Sequence, residues 1–116
     1  MLNNDFTRKV LQIVAKISQG ELMTYTQVAN QAGSPKAYRA VGSILNRNYR
    51  KREWQLPLNN FEPVPCHRVI CNDGRIGGFA KGSKEKERIL VSEGHVVDAG
   101  KIKSPNLVEI KKDLID

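Results

Sequence analysis

The sequence between residues 24 and 46 reads TYTQVANQAGSPKAYRAVGSILN, and it predicts two consecutive short helices. Thr26 can cap a short helix that ends before Gly33. Ser34-Pro35 repeats the start signal, because serine caps a helix and proline suits its first position, so we predict a second helix to about Asn46. Two short helices joined by a glycine turn, the second one basic, are typical of helix-turn-helix nucleic-acid readers, although many other helical pairs join in this way.

Basic side chains concentrate in and after the second predicted helix. The chain carries 19 Lys and Arg against 12 Asp and Glu, which gives a net charge of +7. Six basic residues and no acidic one lie between positions 36 and 52: Lys36, Arg39, Arg47, Arg50, Lys51 and Arg52. Such a patch can neutralise several phosphates and release their counterions. Nucleic acid is therefore the expected partner, with a solvated basic face as the alternative.

The segment before the helix pair and the segment after it show different sequence patterns. Residues 5–18 predict an amphipathic helix, since apolar residues recur at helical spacing and Gly20 can end it. Its expected core residues are Phe6, Val10, Ile13, Val14 and Ile17. Residues 47–62 show no periodicity and are expected to form a long loop.

The C-terminal third predicts one short strand and one helix. Val69-Ile70 reads as a buried strand, and Ser83 begins a last helix, Lys84 to Glu93, ended by Gly94. Between them, the glycines of residues 75–82 allow bare backbone to approach a ligand closely, or make a plain surface loop. We predict a mainly α fold with small β, a winged-helix-like helix-turn-helix domain in which the short strand carries Cys66.

Chain length and cysteine content bound the class of protein. The 116 residues suit a single domain, 1–116, with a tail from residue 95 onward that shows no clear pattern. Two cysteines and the lack of an apolar signal stretch favour reduced thiols in the cytoplasm. Nothing approaches the roughly 18 apolar residues that a membrane span needs. We expect a soluble protein without a membrane partner, located in the cytoplasm or, in a eukaryote, in the nucleus.

A cysteine and a histidine are adjacent in Pro63-Val64-Pro65-Cys66-His67-Arg68-Val69-Ile70. The prolines stiffen the chain, and His67 or Arg68 can favour the thiolate that nucleophilic attack requires. The alternative is an inert buried cysteine, because neighbouring side chains on a strand point to opposite faces. Cys66, His67, Cys71 and His95 lack the spacing of structural zinc sites, so we expect no metal.

Several motifs together resemble one family, the DNA-binding, catalytic domain of the O6-alkylguanine-DNA alkyltransferases. The segments that carry the resemblance are Phe6–Leu11, Gly20–Tyr25, Pro35–Gly42, Pro65–Ile70 and Glu93-Gly94. They extend over residues 5–94 in the same order and spacing. The Pro-Cys-His-Arg core with the upstream Arg-Ala-Val-Gly is the most specific part.

The resemblance implies single-turnover repair of duplex DNA that contains O6-alkylguanine, by a monomer without a cofactor. It implies that the damaged base is flipped out of the duplex and that Cys66 accepts the alkyl group irreversibly. His67 would take the thiol proton through a water, and Glu93 would orient the imidazole. The implied DNA and base contacts are Tyr25, Lys36, Arg39, Asn48, Val69, Phe79 and Ala80. Among them, Arg39 fills the vacated stack and Asn48 hinges the link toward the active site.

The sequence also departs from the family pattern. Phe79 stands where many members have tyrosine, and Tyr38 stands where alanine is frequent. Residues 49–62 are longer than the usual connection, and no segment matches the separate N-terminal domain of longer members. Short alkyltransferase-like proteins, which bind the lesion for nucleotide excision repair without transferring the alkyl group, are the alternative. They usually carry tryptophan at the position of Cys66, so the thiol favours a transferase.

Overall fold

A computed structural model describes residues 4–50, 64–77 and 83–110, which form four helices and two small sheets. The helices are α1 (Asn4–Ala15), α2 (Tyr25–Gln31), α3 (Tyr38–Arg50) and α4 (Ser83–Ser92), and a 3-10 turn covers Cys66–Arg68. β1 (Met23–Thr24) pairs in parallel with β2 (Val69–Ile70), and β3 (Val96–Asp98) pairs antiparallel with β4 (Lys101–Lys103). The predicted class, mainly α with small β, is confirmed.

The first helix buries the face that its apolar spacing predicts. Phe6, Val10, Ile13, Val14 and Ile17 all lie in the main core, together with residues of α2 and α3. The helix ends at Ala15 and not at residue 18. The chain tightens there into i to i+3 bonds, in which the amides at positions 16 and 17 donate to the carbonyls at positions 13 and 14.

The second helix begins two residues earlier than predicted, because Thr24 and not Thr26 is its cap. The Thr24 hydroxyl accepts from the Gln27 amide at 3.0 Å, and the Gln27 side chain accepts from the Thr24 amide at 2.9 Å. This reciprocal capping box needs Gln or Glu three residues after the cap. Thr24 has Gln27 there, whereas Thr26 has Ala29.

The third helix begins later and ends later than predicted. Its first residue is Tyr38, because Ser34–Ala37 form a turn in which the Ala37 amide donates to the Ser34 carbonyl at 2.9 Å. Proline favours the second position of such a turn as much as the start of a helix. The helix continues to Arg50, so the loop predicted at 47–62 is wrong for its first four residues. Residues 51–63 lie outside the described part of the chain.

Parallel pairing joins the helix-turn-helix to the cysteine segment. Met23 pairs with Val69 and Thr24 pairs with Ile70, so the start of α2 lies beside the chain that follows Cys66. The segment after residue 95 also contributes to the packed interior. Ile102 of β4 lies in a second core with Leu22, Ile70, Ile76 and Leu90. No helix within the described residues is both long and apolar enough to cross a membrane.

Candidate active site

Cys66 lies in the 3-10 turn that precedes β2, and not in the strand as predicted. The Arg68 amide donates to the Pro65 carbonyl at 3.0 Å, and the Val69 amide donates to the Cys66 carbonyl. Successive residues of a 3-10 turn are rotated by about 120°, so Cys66 and His67 need not face opposite ways. The strand argument against their cooperation therefore does not apply. The Cys66 side chain is buried, with the residue 5% exposed.

Glu93 links the two residues that follow the cysteine. Its Oε2 lies 3.0 Å from His67 Nε2, and its carboxylate accepts two bonds from Arg68, Nε to Oε1 at 3.0 Å and Nη2 to Oε2 at 2.6 Å. Arg68 also donates to the Ile17 carbonyl at 2.8 Å, which ties the site to the end of α1. Glu93 directly follows α4, where the helix dipole disfavours a carboxylate, and these cationic and hydrogen-bonding partners offset that effect.

The environment sets the protonation of this pair. Burial lowers the pKa of His67 below 6.5, although the hydrogen bond to Glu93 opposes the shift. Burial alone would raise the pKa of Glu93, but the hydrogen bonds from Arg68 and His67 outweigh it and the pKa is lowered. His67 is therefore neutral at pH 7 beside an ionised carboxylate. With Nε2–H donated to Glu93, the other ring nitrogen can accept a proton.

Lys86 is a buried cation in this region that the sequence did not reveal. The residue is 0% exposed, and its ammonium group donates to the Val69 carbonyl at 2.7 Å and to the Tyr25 hydroxyl at 3.2 Å. Burial lowers its pKa to about 8, while the nearby Cys71 and Cys66 act in the opposite direction. One signal was available: Lys86 precedes Leu90 by four residues, so both lie on one face of α4, and both are buried.

Tyr25 is the first residue of α2 and packs between two glycines. A Cβ at Gly42 would lie 3.8 Å from its ring, and a Cβ at Gly77 would lie 3.4 Å from its ring and 3.2 Å from the Cys71 sulfur. Gly77 also has φ +77°, so this close approach suits glycine alone. Burial raises the pKa of Tyr25 to about 12, and Cys71 and Cys66 add to the shift. Its hydroxyl therefore keeps its proton at neutral pH.

The remaining predicted site residues are less close together. Lys36 is exposed in the turn before α3, and Arg39 is exposed in the first turn of that helix. Val69 is buried, and its carbonyl accepts a hydrogen bond from Lys86. Asn48 belongs to α3, but its side chain is outside the described atoms, as are Phe79 and Ala80 entirely. Within the described residues, no group of three or more His, Cys, Asp and Glu is placed to hold a metal ion.

Comparison with known proteins places this chain in a family. Residues 5–95 match the family model described as 6-O-methylguanine DNA methyltransferase, DNA binding domain. The chain belongs to this family. The resemblance inferred from the sequence motifs is thereby confirmed.

Individual relatives agree with the family match. The methylated-DNA–protein-cysteine methyltransferase of Homo sapiens is 41% identical over 91 residues, which are 78% of this chain and 39% of that protein. This chain thus spans about two fifths of the length of that relative.

Two solved structures share the fold. S. pombe Atl1 in complex with damaged DNA containing O6-carboxymethylguanine has a TM-score of 0.67 at 28% identity, covering 89% of this chain and 91% of that one. Mycobacterium tuberculosis OGT in complex with DNA has a TM-score of 0.60 at 31% identity, covering 79% and 50%.

Proposed function

We propose that this protein binds duplex DNA containing O6-alkylguanine, flips the damaged nucleotide out of the stack and transfers the alkyl group irreversibly to Cys66. The observation that carries the proposal is the buried Cys66 thiol in one turn with His67, whose Nε2 is fixed by Glu93 at 3.0 Å. The family match and the DNA complexes of the relatives support it. Flipping is required because the O6 position is inaccessible inside a duplex.

The transfer is a displacement at the alkyl carbon. Neutral His67 accepts the Cys66 proton through a water, and Glu93 stabilises the imidazolium. The thiolate sulfur bonds to the alkyl carbon as the carbon–O6 bond breaks, and the bonding electrons go to guanine. Tyr25 supplies a proton to a guanine ring nitrogen and is reprotonated from solvent, and the His67 imidazolium releases the thiol proton to solvent. The proton lost by the thiol thus balances the proton gained by guanine.

The buried cation makes this chemistry easier. The Lys86 ammonium group lies 3.2 Å from the Tyr25 hydroxyl, and the cysteines Cys71 and Cys66 act to raise the pKa of this ammonium group against the effect of burial. In a buried site such a charge favours the thiolate over the thiol. Lys86 acts here as a positioning and electrostatic residue, since it donates to the hydroxyl of Tyr25, the proposed proton donor, and to the Val69 carbonyl.

In the proposed complex, the helix-turn-helix is the surface that binds DNA. Lys36 and the basic face of α3 contact phosphates, and Arg39 enters the space that the flipped guanine leaves, which offsets part of the unstacking free energy. The resemblance assigns the backbone of Val69 and of Ala80, with Phe79, to recognition of the flipped base, and it assigns Asn48 the role of hinge. These assignments follow the family resemblance.

A lesion-binding protein that does not transfer the alkyl group is the second candidate. It is favoured by the likeness to Atl1, in which nearly the whole of both chains superimposes. The two candidate functions differ in whether the protein itself becomes alkylated. Incubation with a duplex containing O6-methylguanine, followed by intact-protein mass spectrometry, should show one added methyl group per molecule. Tight lesion binding with unchanged protein mass would establish the binding-only alternative.

A further inference from the structure

An exposed aromatic ring marks the start of the basic helix. Tyr38 is the first residue of α3 and is 44% exposed. The Arg39 guanidinium carbon lies 5.9 Å from the centre of its ring, within the range of a cation–π contact. The two side chains therefore form an adjacent aromatic and cationic pair on the surface proposed for DNA.

The same ring borders a surface cavity that leads inward to Tyr25. The cavity has a volume of about 260 Å³ and lies between the starts of α2 and α3 and the turn after β2. Its lining residues are Tyr25, Thr26, Tyr38, Cys71, Asn72, Asp73 and Arg75. Tyr38 is thus an exposed wall of the cavity, and Tyr25, which contacts Lys86, is shared with the candidate active site.

The polar groups of the cavity are already paired in ways that disfavour a phosphate there. The Asp73 carboxylate, which would repel a phosphate, accepts from Arg75 Nε at 2.8 Å, and the Asn72 amide donates to the Thr26 hydroxyl at 2.9 Å. An aromatic wall beside an ion pair suits an uncharged, flat group. A nucleobase is such a group, and every base has a π-face on which an aromatic side chain can stack.

We propose that Tyr38 is a stacking residue that packs on the nucleobase next to the extruded guanine. This inference rests on the proposed function. Tyr38 covers the neighbouring base while Arg39 fills the vacated space, so the pair stabilises the opened duplex without reading its sequence. Its effect is on binding to a duplex that contains a lesion, and not on the chemistry at Cys66.

The test compares Tyr38→Phe, Tyr38→Leu and Tyr38→Ala by fluorescence anisotropy on a duplex with O6-methylguanine and on the same duplex undamaged. Loss of base stacking should weaken lesion binding about tenfold in the Leu and Ala variants, while Phe keeps wild-type affinity. The dependence of affinity on salt should not change, since no phosphate contact is removed. Tyr38 is exposed, so thermal unfolding should be the same in all variants.

A direct reporter of stacking separates this role from a general loss of affinity. With 2-aminopurine next to the lesion, the wild type and Tyr38→Phe should quench its fluorescence on binding more than Tyr38→Leu does. Equal affinity and equal quenching in all variants, with wild-type binding and transfer intact, would overturn the stacking role alone. Wild-type affinity in Tyr38→Leu but not in Tyr38→Ala would show apolar contact instead of stacking. A wild-type protein that does not bind the lesion duplex would overturn the proposed function as well.

Discussion

The ammonium group of Lys86 donates a hydrogen bond to the hydroxyl of Tyr25 across 3.2 Å. An ammonium group can only donate, so the Tyr25 oxygen is the acceptor and its own O–H can point to a different acceptor. The pKa of Tyr25, raised to about 12 by burial first and by Cys71 and Cys66 next, keeps that proton in place. Helix α4 thereby fixes the position of the protonated Tyr25 hydroxyl, the group to which the proposed mechanism assigns proton donation.

Lys86→Met should slow alkyl transfer without weakening the fold. Removing a buried charged donor should cost about tenfold or more in the single-turnover rate, because Tyr25 loses its orienting partner. Burial disfavours the charge of Lys86, as its lowered pKa indicates. Removing that charge should therefore offset the loss of the bonds to Val69 and Tyr25 and leave the thermal unfolding midpoint nearly unchanged. Lys84→Met, exposed on the same helix, is the matched control. A slower rate that appears only together with a lower midpoint would contradict the positioning role.

The free energy of unfolding should depend on pH through Lys86. Its pKa is lowered from 10.5 to about 8, mainly by burial, so between these values the unfolded chain binds the extra proton. The free energy of unfolding therefore rises with pH across this window in the wild type. Lys86→Met lacks this contribution and should respond less. Urea unfolding of both proteins at pH 8 and pH 10 measures the difference, and parallel responses would be the contrary outcome.

Glu93→Gln should affect both stability and transfer. The side chains of Glu93 and Arg68 are only 10% and 16% exposed, and the substitution leaves the guanidinium without its carboxylate. Loss of one partner of a buried ion pair should lower the free energy of unfolding by about 3 kcal/mol. The transfer rate should also fall, since His67 loses the anion that stabilises its charged form. Glu87→Gln, exposed on α4, is the control, and equal behaviour of the two variants would contradict the relay.

Arg39→Ala should separate extrusion of the base from the chemistry. We expect slower reaction with O6-methylguanine in duplex DNA and little change with the free alkylguanine base, because only the duplex has a stack to refill. Arg47→Ala, exposed later on the same helix, should reduce duplex affinity without this selectivity. Rates on both substrates give the comparison. Equal losses on the duplex and on the free base would remove the intercalating role of Arg39.

Periodicity predicted the parts of the fold that depend on local sequence. The apolar repeat of α1 identified its buried face, since such a stripe has no other stable location than the core. The ends of helices were less predictable where one short sequence fits two local structures. Ser34-Pro35 fits both a helix start and a turn, and the turn forms because the Ala37 amide bonds back to Ser34.

The sequence motifs named the candidate site residues but did not indicate their geometry. Cys66, His67 and Glu93 came from their motifs, whereas the 3-10 turn that contains the first two depends on how the segment packs against the rest of the protein. Lys86 was missed because lysine is normally a solvated residue. Its burial follows from the packing of α4 against the turn and from the Val69 carbonyl, which are tertiary contacts.

The location of the transferred group tests the central claim most directly. The wild-type protein and the Cys66→Ser and Cys71→Ser variants are each mixed with excess duplex containing O6-methylguanine, digested and mapped by tandem mass spectrometry. The proposal predicts one methyl group on Cys66 in the wild type and in Cys71→Ser, none in Cys66→Ser, and no release on longer incubation. An unmodified Cys66 in a protein that binds the lesion duplex would contradict alkyl transfer.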